Sequence, residues 1–253
     1  MKGLCKLADE HNLPIQSHIS ENVGEIDLVK RTFPTIKNYA SVYDQYGLLN
    51  ERTILAHGIY LTDEEIELMR ERKTTISHCP LSNFSIVSGV LNVRKMLNRG
   101  VKVSLGSDIS GGYSASMLST IRNTLIATSV SATEHLRQHT IAGADDVPLT
   151  LDEVFYLATM GGAKALNIED KVGNFKEGKS FDALIVDVDV RDACIDSFND
   201  IYHRVFSQEE EEREKKILKE NFARFIFNGD DRNITHIFVQ GKEVAGQARQ
   251  SFH

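Results

Sequence analysis

The stretch "LPIQSHISEN", residues 13–22, is an apolar run that stops at a histidine, with a glutamate three positions further on. A short run of this kind reads as a buried strand, and the polar residues closing it read as the loop at its C-terminal end. Taken alone, His18 is weak evidence for a site, because a histidine at a strand end is more often a hydrogen-bonding loop residue than a ligand. The same pattern recurs three times. "TILAH" closes on His57, "TTISH" on His78 and "VKVSLGSD" on Asp108.

Helical patterns separate these runs. "LTDEEIELMRER" carries a capping box, Thr62 with Glu65 three residues on. "GVLNVRKMLNRG" repeats Val90, Val93, Met96 and Leu97 and ends on Gly100, a good helix stop. "SASMLSTIRNTLIATS" reads as a further helix after Asp108. Strand and helix alternate, which predicts parallel strands joined by crossover helices. In such a sheet every strand ends at the same edge, and ligands bind there. His18, His57, His78 and Asp108 are therefore expected on one face.

The chain has 253 residues, 41% hydrophobic and 26% charged, the composition of an ordinary globular protein. Its net charge of −7 argues against nonspecific binding to nucleic acid or acidic membranes. No apolar segment approaches the roughly 20 residues of a membrane span. The start, "MKGLCKLADEHNL", lacks the apolar block of a secretory signal. Cys5, Cys79 and Cys194 are an odd number without a CxxC pair, which fits a reducing cytoplasm and neither a disulfide framework nor a cysteine zinc site.

Imidazole and carboxylate suit zinc, and a catalytic zinc keeps one position open for water. It lowers the pKa of that water to roughly 7, and a nearby carboxylate is then needed to carry a proton to the leaving group. Glu21, on the loop after His18, is well placed for this. Gly111 and Gly112 are expected to let the loop after Asp108 run close to the site. His135 and His139 have metal-compatible i, i+4 spacing, but they lie away from the strand ends and are read as surface residues.

Beyond Asp108, "LTLDEVFYLATMGGAKALNI" is helical, with a second capping box at Thr150 and Glu153. The pattern then becomes β-rich, with a strand over Phe181–Val186 and a hairpin in "ITHIFVQGKEVA" turning at Gly241 and Lys242. "SQEEEEREKKILKE" between them reads as a solvated helix laced with intrahelical ion pairs. The expected organisation is a barrel-type segment over residues 1–170 and a β-rich segment with an intervening acidic helix over 171–253.

The order "SHISE", "AHG", "SHCPLSN" and "GSD" resembles the second half of the amidohydrolase superfamily, whose metal sites sit atop a (β/α)8 TIM-type barrel. Within it, "QSHISEN", "ILAHGIYL", "ISHCPLSN", "GSDISGGYSASML" and "GDDRNI" are most similar to the guanine deaminases. The resemblance implies barrel strands five to eight, followed by C-terminal strands of a small β-sandwich. It also implies a zinc-dependent hydrolysis of guanine to xanthine and ammonia by a homodimer. His18 would be a zinc ligand, and Glu21 the proton shuttle. His57 would hydrogen-bond the attacking hydroxide and the developing oxyanion, and Asp108 would both ligate zinc and accept the proton of the water. His78 and Asn83 would shape the site. Another amino-heterocycle as substrate, or a non-catalytic chain acting by protein pairing, are the alternatives.

The same resemblance implies an HxH pair that supplies two further zinc ligands, and an arginine–phenylalanine pair that grips the purine. No two of the nine histidines here are separated by one residue. The expectation is that this polypeptide alone is inactive or nearly so, as a truncated product or an incomplete gene model.

Overall fold

The computed structural model describes residues 1–190, 194–195 and 210–246, apart from the side chains of 135, 137 and 210–213. The chain divides into two compact units, Met1–Asn174 and Phe175–His253.

In the first unit β1 (Ile15–Ile19), β2 (Thr53–His57), β3 (Thr75–His78) and β4 (Lys102–Leu105) form a four-stranded sheet in chain order. Every neighbouring pair is parallel. Parallel neighbours need crossovers, and here these are helical. Helix α1 (Lys2–Glu10) leads into β1. Helices α2 (Val23–Thr32) and α3 (Tyr39–Gln45) join β1 to β2, and α4 (Asp63–Glu71) joins β2 to β3. Helices α5 (Pro80–Ser85) and α6 (Val93–Asn98) join β3 to β4. Beyond β4 come α7 (Met117–Ala132), α8 (Glu134–Arg137), α9 (Leu151–Tyr156), a π turn (Leu157–Gly161) and α10 (Gly162–Ala165). The alternation read from the sequence is present. Helix α2 buries no residue fully: Ile26 and Val29 are half-buried, and Val23 and Leu28 are exposed.

The capping signals act as read. Thr62 accepts from the Glu65 amide, and the Glu65 carboxylate accepts from the Thr62 amide. Glu65 is itself buried, and its other oxygen accepts from the Ala40 amide at 3.1 Å. That amide is one of the donors left open at the start of α3, so one carboxylate closes the starts of two helices. Thr150 and Glu153 repeat the box at α9. There the Arg94 guanidinium from α6 grips Glu153 with two parallel bonds of 2.8 and 2.9 Å, and holds its carboxyl down at about 2. Ile19, Leu55, Ile76 and Val103 from the four strands, with Ile66, Met69, Leu81 and Leu91, make up much of the buried core.

In the second unit β5 (Ala183–Val186), β6 (Ile234–Val239) and β7 (Lys242–Gly246) form an antiparallel sheet in the order β5-β6-β7. Gln240 and Gly241, both at positive φ, make the two-residue turn that such hairpins favour. The turn thus falls one residue earlier than expected, and Lys242 opens β7 instead. Helix α11 (Glu210–Asn228) outlasts its charged stretch. Its later residues Phe225 and Ile226 are buried, whereas Glu214, Lys215 and Lys216 in its charged part are exposed. The start of the charge run, residues 207–209, lies outside the described residues. No helix of the described residues is long and apolar enough to cross a membrane.

Glu65→Ala removes the cap and strands the buried Ala40 amide, so urea denaturation should show a loss of about 2–4 kcal/mol. Glu153 titrates lower when folded than its ordinary 4.5. Its pairing therefore stabilises the fold above that pH, and the contribution fades as the pH falls towards 2. Thermal melts of wild type and Glu153→Gln should differ at neutral pH and converge at the acid end.

Candidate active site

The parallel register sets Ile19 opposite His57, Ala56 opposite His18 and Leu105 opposite His78. The strand ends consequently lie side by side. The chain leaves them with Ser20, His57 and Asp108 in the left-handed region, at φ 48°, 74° and 46°. For residues other than glycine this conformation costs of order 1–2 kcal/mol each. Such strain persists where the surroundings over-determine it, and it gathers at functional sites.

His57 is the centre of what those turns build. Its ring is 1% exposed. Nδ1 lies 2.9 Å from Asn83 Oδ1 and 3.7 Å from Glu21 Oε1. Nε2 lies 3.8 Å from Asp108 Oδ2. The His18 ring stacks on the His57 ring with centroids 5.1 Å apart. His18, Glu21, His57 and Asp108 are thus brought together, as the strand-end pattern implied. A buried imidazole stands between two carboxylates that are partly open to solvent, an arrangement able to hold and pass protons.

A second layer of groups was not foreseen. Ser88 Oγ donates to Glu21 Oε1 at 3.0 Å, from a loop distant in sequence. The Glu21 amide donates to Glu25 Oε2 at 2.7 Å, and Tyr39 donates to the other Glu25 oxygen at 2.9 Å. Tyr43 donates to the His18 carbonyl at 2.9 Å. Burial pushes the Tyr39 phenol well above its ordinary range, which keeps it a donor. Tertiary contact alone selects Ser88, Tyr39 and Tyr43, whereas Glu25 is marked locally, three residues after the helix cap Asn22, whose Oδ1 accepts from the Glu25 amide at 2.9 Å.

His78 is completely buried, and neither ring nitrogen has a partner among the described residues. Burial, and then the neighbouring His57, pushes its pKa down to about 3, so it is neutral. Burial also pushes the Cys79 thiol up to about 12, with Asp108 adding to the effect. It is therefore neither thiolate nucleophile nor soft ligand. Cys5, Cys79 and Cys194 are free. His139 is exposed, and the His135 side chain lies outside the described residues.

Gly111 and Gly112 crowd the site for a reason other than the one expected. Neither has positive φ. A Cβ at Gly111 would stand 2.7 Å from Ser82 Oγ and 3.0 Å from Asp108 Oδ2. One at Gly112 would stand 2.6 Å from the Ser107 carbonyl oxygen and 2.8 Å from Leu81 Cβ. Space, not backbone freedom, demands glycine here.

His18 and Asp108 are an imidazole and a carboxylate, the donors zinc prefers. Among the described residues, no group of three or more His, Cys, Asp or Glu side chains could hold an ion. The donor chemistry fits zinc, but the number falls short of the three protein ligands usual in a catalytic site.

Residues 1–244 match the model of the amidohydrolase family. The chain belongs to the amidohydrolase family. It is 42% identical over 244 residues to the guanine deaminase of Dictyostelium discoideum, matching 96% of this chain and 49% of that one. The human guanine deaminase is also 42% identical, with 96% and 50% covered. The crystal structure of guanine deaminase from C. acetobutylicum with bound guanine in the active site superposes with a TM-score of 0.77. Its identity is 37%, and the match covers 96% of this chain and 51% of that one. The chain spans about half the length of the curated relatives it matches. The α/β fold with its parallel sheet is that of the amidohydrolases.

The contacts at the two glycines separate stability from site geometry. Gly112→Ala meets backbone that cannot yield, and should cost about 1–3 kcal/mol in chemical denaturation. Gly111→Ala meets two side-chain ends that can swing away. It should cost less stability while displacing Asp108, as a crystal structure of the variant would reveal.

Proposed function

We propose that these residues belong to a guanine deaminase, hydrolysing guanine to xanthine and ammonia. The observation that carries this reading is the buried His57 imidazole held between Glu21 and Asp108. The relatives named above support the choice of substrate. In the reaction the oxygen of water bonds to the ring carbon bearing the amino group, and the carbon–nitrogen bond then breaks. Asp108 takes the proton of the attacking water. Glu21, steadied by Ser88, gives its proton to the ring nitrogen, takes up the hydroxyl proton of the tetrahedral carbon as the carbonyl forms and hands it to the departing amine; the proton held by Asp108 then passes back to Glu21, which restores both groups. His57 hydrogen-bonds the attacking oxygen and stays beside it as its charge develops, which lowers the barrier electrostatically.

His18 and Asp108 would hold zinc, together with ligands that the described residues do not supply. Bound there, zinc would act as a Lewis acid and make water a nucleophile near neutral pH. We assign β1–β4 to strands five to eight of a (β/α)8 barrel and β5–β7 to a small sandwich. Residues 1–170 would then form the partial barrel and 171–253 the sandwich segment. We also assign the protein to purine breakdown in the cytoplasm, as a homodimer. Free cysteines are compatible with that compartment.

The test is ammonia release from guanine, with adenine, cytosine and amino-triazines as comparison substrates. It is made on a protein of the relatives' length that carries these residues. Guanine should be preferred, and Glu21→Gln should lower kcat by about 10²–10⁴-fold while zinc content is kept. Undiminished turnover in Glu21→Gln would remove Glu21 from the mechanism. Preference for another heterocycle would replace guanine as the substrate.

A further inference from the structure

We propose that Tyr60 is a positioning residue for Glu21, acting through Ser88. This role deepens the reading of Glu21 as the proton carrier and rests on it. Ser88 is 5% exposed and lies on the loop between α5 and α6. Its amide, carbonyl and hydroxyl are all engaged, each by a different segment. The amide donates to the Asn83 carbonyl in α5 at 2.8 Å. The carbonyl accepts from the Tyr60 hydroxyl at 2.6 Å, and the hydroxyl donates to Glu21 Oε1 at 3.0 Å. A carbonyl oxygen can only accept, so the direction of the Tyr60 bond is fixed.

Tyr60 also reaches the Glu21 loop through its backbone. Its amide donates to the Ser20 carbonyl at 3.1 Å, and Ser20 is the left-handed residue just before Glu21. One residue after β2 therefore ties the loop that carries Glu21 to the loop that braces it. Packing keeps the tie close. Gly89 stands at φ 142°, and a Cβ there would lie 3.0 Å from both Ile59 Cγ2 and the Tyr60 hydroxyl oxygen. The neighbours Ile86 and Val87 are exposed, so the Tyr60 hydroxyl supplies a hold that their apolar side chains do not. Ser88 in turn binds the oxygen of Glu21 that lies 3.7 Å from His57 Nδ1. Holding Oε1 limits the swing of the carboxylate, and with it the line along which Glu21 meets a substrate. Tyr60 itself is 41% exposed, so removing its hydroxyl leaves the core untouched.

The test uses Tyr60→Phe, Ser88→Ala and their combination, in the protein of the relatives' length used for ammonia release. Tyr60→Phe should lower kcat for guanine by about 5–50-fold with KM held within about twofold, because a misplaced proton carrier slows the chemistry more than binding. Ser88→Ala should lower kcat by at least as much. The combined variant should fall no further than Ser88→Ala, since two links of one chain do not add. Crystal structures of wild type and Tyr60→Phe read the same link without any substrate. The variant should show Ser88 moved and Glu21 Oε1 released from its hydroxyl. An unchanged kcat, a change in KM alone, losses that multiply in the combined variant, or an undisturbed Ser88–Glu21 bond in Tyr60→Phe overturns the proposal. So does a Tyr60→Phe protein that cannot fold, since the hydroxyl would then serve the fold and not Glu21. If wild type releases no ammonia from guanine or the comparison substrates, the deaminase reading falls, and the crystal structures still decide whether Tyr60 positions Glu21.

Discussion

Parallel pairing of four strands is the constraint on which the rest of the first unit depends. Strands that run the same way must be joined by crossovers, and all of them deliver their C-terminal residues to one edge. The pairing of Ile19 with His57 and of His78 with Leu105 fixes how far each strand end projects. Shifting one strand by a single residue would turn its side chains to the opposite face. His57 would then lose Asn83, Glu21 and Asp108 together.

The site is assembled at a cost in backbone strain and in crowding. Ser20, His57 and Asp108 adopt left-handed conformations where the strands end, and Gly111 and Gly112 leave the space that the Asp108 loop needs. These features aim side chains from separate segments at the buried His57 ring. Asn83 holds one edge of that ring and Asp108 faces the other, while Glu21 is held in turn by Ser88. The two carboxylates keep partial contact with solvent while the imidazole between them does not. Protons can therefore enter and leave at the carboxylates, and the buried ring keeps a fixed orientation.

Much of this was legible because it depends on local chemistry. A capping box is a contact among four consecutive residues, so Thr62 with Glu65 and Thr150 with Glu153 could be read directly and occur as read. The β-strands announced themselves by short apolar runs ending at polar residues. Helices α2 and α3 were not read from the sequence, although each starts at an asparagine, Asn22 and Asn38, whose side chain accepts from the amide three residues on. The second role of Glu65, as acceptor for the Ala40 amide, was also invisible, because that partner lies on another helix.

By itself, the sequence determined the alternation of strand and helix and the placement of His18, His57 and His78 at strand ends, with Asp108 just beyond the fourth. Apolar periodicity and capping residues act within a few positions of the chain, and that is enough to specify these features. Only the tertiary structure decided that Ser88 reaches Glu21, that Tyr39 bonds Glu25 behind the first loop, and that Asn83 rather than His78 bonds His57. It also decided that His78 is sealed from water and neutral. Those outcomes depend on distance in space and on the removal of solvent, which exist only once the strands have paired.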